Sequence, residues 1–307
     1  LVMMSQIAGV VIFSGKAQAY APDEFVTTWK TDNPNTHSGE TGSANNQIII
    51  PTTGGGYNYT VDWGDGNTTS GHTGDATHTY ASPGTYTVAI TGDFPRIHMG
   101  RNTFDSPHAD NDKLRSVEQW GTNPWTSMAG AFAYASNLQV NATDAPNLAG
   151  VTDMSRMFSS AHSFNTDISS WDVSNVTDMS RMFNGAILFN QPLNTWDVSN
   201  VTNMSGMFNG EYGTYNGSSY GLAVSSAFNQ PLNNWDVSNV TNMSVMFNGA
   251  FLFDQDISSW DTSSVTSMAS MFRDAVAFNQ PLDSWDTSSV TSMAGMFSSY
   301  WAHSLDF

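Results

Sequence analysis

The stretch Trp171-Asp172-Val173-Ser174-Asn175-Val176-Thr177-Asp178-Met179-Ser180-Arg181-Met182-Phe183-Asn184-Gly185-Ala186, continued by Ile187-Leu188-Phe189-Asn190-Gln191-Pro192-Leu193, decides how the rest of the chain is read. Its residues return at a fixed interval. Met154, Met179, Met204, Met243, Met268 and Met293 are spaced 25, 25, 39, 25 and 25 apart, and a second methionine follows each of them by three. Of 16 methionines, 12 fall in these two columns, and Trp171, Trp196, Trp235, Trp260 and Trp285 keep the same step. The single interval of 39 marks an insertion. A period in the twenties describes units that bury an apolar face only by stacking on their neighbours. The methionine columns are then a continuous interior, which unbranched Met fills well, and not a metal-binding set. Within a unit, Val176 to Met179 is expected to form one short strand. Ser180 is expected to cap a short helical turn over Arg181 to Asn184 that ends near Gly185, and Pro192 stops any further helix.

Upstream, from Gln47, the pattern changes to strands and turns. Tyr59, Val61 and Trp63 alternate with polar residues, as a strand with one buried face requires, and Gly64-Asp65-Gly66-Asn67 is turn chemistry. Thr85-Tyr86-Thr87-Val88-Ala89-Ile90 is a second alternating strand. Val61-Asp62-Trp63-Gly64-Asp65-Gly66, His78-Thr79-Tyr80 and Pro83-Gly84-Thr85-Tyr86-Thr87-Val88 resemble a PKD-type immunoglobulin-like domain. The resemblance implies an extracellular β-sandwich serving as a spacer or interaction module. His72, Asp75 and His78 are spaced by three, but on alternating strands that spacing sends side chains to different faces, so His78 is expected to be structural.

In the repeats, Asn-Val-Thr-x-Met-Ser-x-Met-Phe, Phe-Asn-Gln-Pro-Leu and Trp-Asp-Val-Ser resemble the BspA-like leucine-rich-repeat surface proteins, over about Leu114 to Phe297. That resemblance implies adhesion or partner binding and no catalysis. Together the two resemblances give a mainly β fold with short helices: an immunoglobulin-like β-sandwich followed by a leucine-rich-repeat-type solenoid. The expected divisions are a signal-peptide-like segment over 1–19, a PKD-like sandwich over 20–95, and a connector with a first coil over 96–119. The solenoid follows over 120–307, with an insertion at 211–226.

Composition narrows the function classes. The 307 residues carry 27 acidic side chains against 9 Lys plus Arg, a net charge of -18, which disfavours nucleic acid because phosphate binding relies on Lys and Arg. No cysteine is present, so disulfides, zinc-thiolate sites and thiol nucleophiles are excluded. Residues 120–307 hold 15 acidic residues and 3 arginines, which favours basic or cation-bridged ligands over acidic ones. Ile7 to Phe13 followed by Ala17-Gln18-Ala19 reads as the tail of a secretory signal peptide cut before Tyr20; the alternative is an apolar element retained in the mature fold. No segment of the mature chain is long and apolar enough to span a membrane.

Candidate sites follow from the repeats. Asp172, Asp197, Asp236, Asp261 and Asp286 recur after each Trp and are expected to turn back onto the following Asp-x-Ser backbone. Calcium bridging is left open there and at the pair Asp254 and Asp256, which occurs in one unit only; no other cofactor is expected. Thr177, Thr202, Thr241 and Thr266 form a column that, if exposed, makes a regular uncharged strip able to bind a repeating ligand. The insertion, with Tyr212, Tyr215 and Tyr220 among Ser, Gly and Asn, has the composition of an adaptable binding loop. No Gly-x-Ser-x-Gly elbow, His-Glu-x-x-His or phosphate loop occurs, so no enzyme is expected. The expected protein is secreted or at the cell surface and binds a protein or glycan on another cell or matrix, with self-association left open. The alternatives are a structural subunit of a surface layer or filament that uses the apolar N-terminus, and an ice- or polysaccharide-binding solenoid.

Overall fold

The computed structural model of the chain describes residues 20–34, 42–100, 110–210 and 225–299. The signal-peptide-like segment 1–19 lies outside the described residues. In chain order the strands are β1 (Phe25–Lys30), β2 (Gln47–Ile50), β3 (Asn58–Asp62), β4 (Thr68–His72), β5 (Ala76–Thr79), β6 (Thr85–Asp93), β7 (Leu114–Gln119) and β8 (Gln139–Val140). Six of them form one sheet in the order β4-β3-β6-β1-β7-β8, and β2 pairs with β5 in a second. All pairs are antiparallel except β7 with β8, so the large sheet is mixed.

The alternation read in β3 is present: Tyr59 and Val61 are buried while Asn58 and Asp62 face solvent. Trp63, also buried, ends the strand at a turn where Gly64 adopts φ +75°, and a Cβ there would lie 2.2 Å from the Thr87 carbonyl oxygen. Only glycine fits that approach. His78 stacks on Trp63 with ring centroids 4.8 Å apart, and its Nε2 lies 2.8 Å from Asp65. His72 instead meets Thr69, and Asp75 accepts from Thr52, so the three side chains do not converge.

The large sheet and the repeats share one apolar core. Phe25 of β1 packs on Trp120 and Trp125 at 5.8 and 4.9 Å between ring centroids, and Phe94 joins them. A buried cation pins the same region. Lys113 Nζ donates to the carbonyls of Ser43, Ala44 and Gln47 and to Ser43 Oγ, and lies 3.3 Å from Asp110 Oδ1. Asp110 in turn accepts from the Ser43 and Ile49 backbone N–H groups. Burial lowers the Lys113 ammonium below its ordinary value, and Asp110 opposes that shift.

Each repeat lies beside the next. Single-residue parallel bridges link Asp153, Asp178, Asn203, Asn242, Ser267 and Ser292 in order. Asn203 pairs directly with Asn242, so the 39-residue interval loops its insertion out without interrupting the array. Both methionine columns are buried from Met154 to Met271. Beside them Phe158, Phe183, Phe208, Phe247 and Phe272 stack at 5.7 Å between successive ring centroids. Phe164, Phe189, Phe228, Phe253 and Phe278 make a parallel stack at 5.7 to 6.3 Å. From Trp196 onward the indoles of the column are satisfied by the preceding unit: Trp196, Trp235, Trp260 and Trp285 Nε1 donate to the carbonyls of Ile168, Leu193, Leu232 and Ile257.

The expected architecture of an immunoglobulin-like sandwich followed by a leucine-rich-repeat-type solenoid is corrected on both counts. Among the described residues the chain is a mixed β-sheet protein with two sheets, the larger taking in β7 and β8, which lie beyond the PKD-like stretch. Its units lack the short helices that a leucine-rich-repeat solenoid needs. Among the described residues the one helical element is a 3-10 turn over Asn111–Lys113. The segment read as a helical turn after Ser180 is kept from helix by left-handed residues, Arg181 at φ +56° and Gly185 at φ +70°. They turn alternate N–H groups outward. Arg181, Phe183 and Gly185 donate to Ser205, Met207 and Asn209 of the next unit, while Met182, Asn184 and Ala186 close local turns on Met179, Arg181 and Phe183. An α-helix would direct all these donors along its own axis; here half of them join the units. Likewise, the strand expected over Val176 to Met179 reduces to the single bridge at Asp178.

The left-handed position recurs as Arg156, Arg181, Gly206, Val245, Ser270 and Gly295, with φ between +53° and +64°. A side-chain-bearing residue adopts that conformation at a cost of about 1–2 kcal/mol, so glycine is the natural occupant.

Candidate binding faces

The threonine column is exposed as one rank. Thr152, Thr177, Thr202, Thr241, Thr266 and Thr291 all face solvent. Thr177, Thr202, Thr241, Thr266 and Thr291 each donate both N–H and Oγ1 to the carbonyl of the threonine before, with N–H···O lengths of 2.8 to 2.9 Å. The hydroxyls are thereby fixed in orientation, and each oxygen keeps acceptor capacity toward solvent.

The aspartates after each Trp fold back as the Asx-turn reading expects. Asp172, Asp197 and Asp236 each accept from both the N–H and the hydroxyl of the serine two residues on, and Asp261 and Asp286 from the N–H of Ser263 and Ser288. Hydrogen bonds from Ser174 and Ser199 hold the Asp172 and Asp197 carboxyls below their ordinary value, and Ser263 and Ser288 do the same for Asp261 and Asp286.

Asp254 belongs to a ladder that sequence reading did not single out. Asn165 Oδ1 accepts from Asn190 N and Gln191 Nε2, Asn190 Oδ1 from Asn229 N and Gln230 Nε2, and Asn229 Oδ1 from Asp254 N and Gln255 Nε2. Asp254 Oδ1 then accepts from Asn279 N and Gln280 Nε2 at 2.9 and 2.8 Å. The signal was available, because Phe-Asn-Gln recurs in register, with Asp254 replacing Asn once. Asp256 turns onto the Ser258 N–H. Among the described residues no group of three or more His, Asp or Glu side chains is arranged to hold a metal ion. Tyr212, Tyr215 and Tyr220 lie outside the described residues.

A groove of about 670 Å³ runs along the left-handed positions of the first units, bordered by Arg156, Arg181, His98, Ser159, Asn184 and Asn209. Asn209 bridges Asn184 and Asn248 amide to amide at 2.6 and 2.8 Å. Sequence reading missed this groove, since nothing in Met-Ser-x-Met-Phe marks which face the variable residue takes.

The fold and these faces define a β protein with a PKD module and side-by-side units whose recurrent polar groups mostly bond one another. Residues 26–93 match the PKD domain, and residues 101–220 and 218–306 match a family described as "Mycoplasma protein of unknown function, DUF285". These two stretches cover more than half of the chain, and the chain belongs to that family. The repeats are thus DUF285 repeats, and their assignment to the BspA-like leucine-rich-repeat proteins is withdrawn. The two matched copies meet at residues 218–220, inside the insertion. No curated protein and no solved structure matches the chain. The PKD domain matched over residues 26–93 is a non-catalytic module. Among the described residues no helix is long and apolar enough to cross a membrane.

Proposed function

We propose that the protein acts outside the cell, secreted or held at the surface, by binding a protein or glycan on another cell or matrix. The observation that carries this reading is the exposed threonine rank, a uniform face whose backbone is fixed by the bonds between units. The PKD module supports it as a spacer or interaction unit. In this reading residues 20–95 present the repeats, and Thr177, Thr202, Thr241 and Thr266 together with the insertion at 211–226, carrying Tyr212, Tyr215 and Tyr220, meet the partner. A glycan and matrix-protein array probed with the full chain, with and without the insertion, tests it; no retained ligand on either array would refute it.

The same rank favours a second reading, in which the strip binds a regular lattice such as crystalline polysaccharide or ice. Replacing Thr202 and Thr241 by bulky residues would then abolish binding to cellulose or chitin and any thermal hysteresis. Unchanged behaviour in both assays removes this reading.

A further inference from the structure

Arg156 and Arg181 occupy the same position in adjacent units, joined by the Asp153–Asp178 bridge, and both are exposed. They are two of only 9 basic residues in a chain with 27 acidic ones. Yet among the described residues neither guanidinium has an ion pair or a hydrogen bond. Two like charges side by side repel, and each sits in a left-handed conformation, φ +57° and +56°, where two sister units carry Gly206 and Gly295 and two others the uncharged Val245 and Ser270. Folding alone would not favour two adjacent unpaired cations at these places.

Both arginines border the 670 Å³ groove, and so does His98. His98 Nδ1 lies 2.9 Å from the Ala129 carbonyl and so carries the proton, while Nε2 is buried without a partner. That nitrogen is shut off from solvent against Gly100, so His98 shapes the groove wall and presents no free acceptor to it. Ser159, Asn184 and Asn209 add neutral hydrogen-bonding groups along the same wall.

We propose that this groove binds an oligosaccharide bearing carboxylate groups, of the uronic-acid type. The guanidiniums take carboxylates through paired N–H bonds, and the hydrogen-bonding capacity that the half-buried Asn184 and Asn209 amides do not spend on each other takes the sugar hydroxyls. Neutral groups outnumber the two cations, which suits a sugar better than an acidic peptide. The repeats as a whole are acidic and favour basic ligands; Arg156 and Arg181 make this groove the local exception, and the net charge of -18 weighs more against a densely sulfated chain than against one carboxylate per sugar. The proposal rests on the reading of the protein as a non-catalytic binder and names one site and ligand class for it.

The test is calorimetric titration of the full chain with hexagalacturonate, its fully methyl-esterified form and a hexaglutamate peptide. Variants Arg156→Gly with Arg181→Gly copy the sister units, and Arg156→Gln with Arg181→Gln keep side-chain bulk if the glycines disturb folding. Hexagalacturonate should bind, with affinity reduced about tenfold or more per lost guanidinium, and the esterified form should bind no better to the native chain than hexagalacturonate does to the variants. Absence of binding, equal affinity in folded variants, or tighter binding of the peptide would overturn it. If the array finds a ligand whose binding survives both pairs of substitutions, this site fails while the broader reading stands.

Discussion

Replacing Phe208 by alanine removes one ring from the middle of the aromatic stack. That ring is fully buried and meets Phe183 and Phe247 at 5.7 Å, Phe228 at 3.9 Å and Trp235 at 6.4 Å between centroids. A buried Phe→Ala change costs about 3–5 kcal/mol, and four aromatic neighbours place this one at about 4 kcal/mol or above. Phe297 stands in the same column but is 63% exposed and meets only Phe272 among these rings, at 5.6 Å. Retaining roughly a third of the burial free energy of a phenylalanine and one ring pair, Phe297→Ala should cost about 1 kcal/mol. Urea unfolding followed by tryptophan fluorescence reads both, with Trp235 beside Phe208 as a local probe. Equal costs for the two variants, or a cost below about 2 kcal/mol for Phe208→Ala, would refute the claim that ring-on-ring burial between units holds the array.

Three other outcomes follow from the same geometry. Lys113→Met strands the buried Asp110 carboxylate and should cost about 3–5 kcal/mol in chemical unfolding, and a cost below about 1 kcal/mol would mean the pair is solvated. Trp235→Phe removes the indole donor to the Leu193 carbonyl, which keeps the Trp196 N–H, and should cost about 0.5–1.5 kcal/mol by the same assay; a neutral result contradicts the bond between units. Hydrogen bonds from the following serines hold Asp172, Asp197, Asp261 and Asp286 below the ordinary aspartate value in the folded chain, so their contribution is complete above that ordinary value and is lost as pH falls through the lower folded value. Thermal midpoints should therefore drop on the acid side, and less steeply in Ser174→Ala with Ser199→Ala; an unchanged slope would show that these serines do not set the shift.

The interval of 25 residues was enough to place Met179, Met182, Phe183 and Ala186 inside, because a buried column must repeat with the units that stack. Alternation alone located Tyr59 and Val61 on the inner face of β3 and the buried Trp63 just past its end. The local backbone was less legible. Met-Ser-Arg-Met-Phe reads as a helical turn because each residue tolerates helix, and only the glycines at 206 and 295 hint that the position is left-handed. Once Arg181 is left-handed, alternate donors leave the chain and bond the next unit, a gain that exists only when units lie side by side. Propensity within one unit cannot register it. The membership of β7 in the first sheet was equally hidden, since its pairing with β1 spans about ninety residues. Of the candidate faces, the threonine rank and the Asx-turns were readable from spacing. The groove depended on which way Arg156 and Arg181 leave the backbone.

The central claim is that the exposed face of the repeats binds a partner outside the cell. Its most direct measurement is retention on a glycan and matrix-protein array by the full chain, by Thr202→Trp with Thr241→Trp, and by a chain lacking 211–226. The account predicts a ligand retained by the native chain and lost or weakened in at least one altered form whose thermal midpoint is unchanged. A ligand held equally by all three would place binding elsewhere and contradict it.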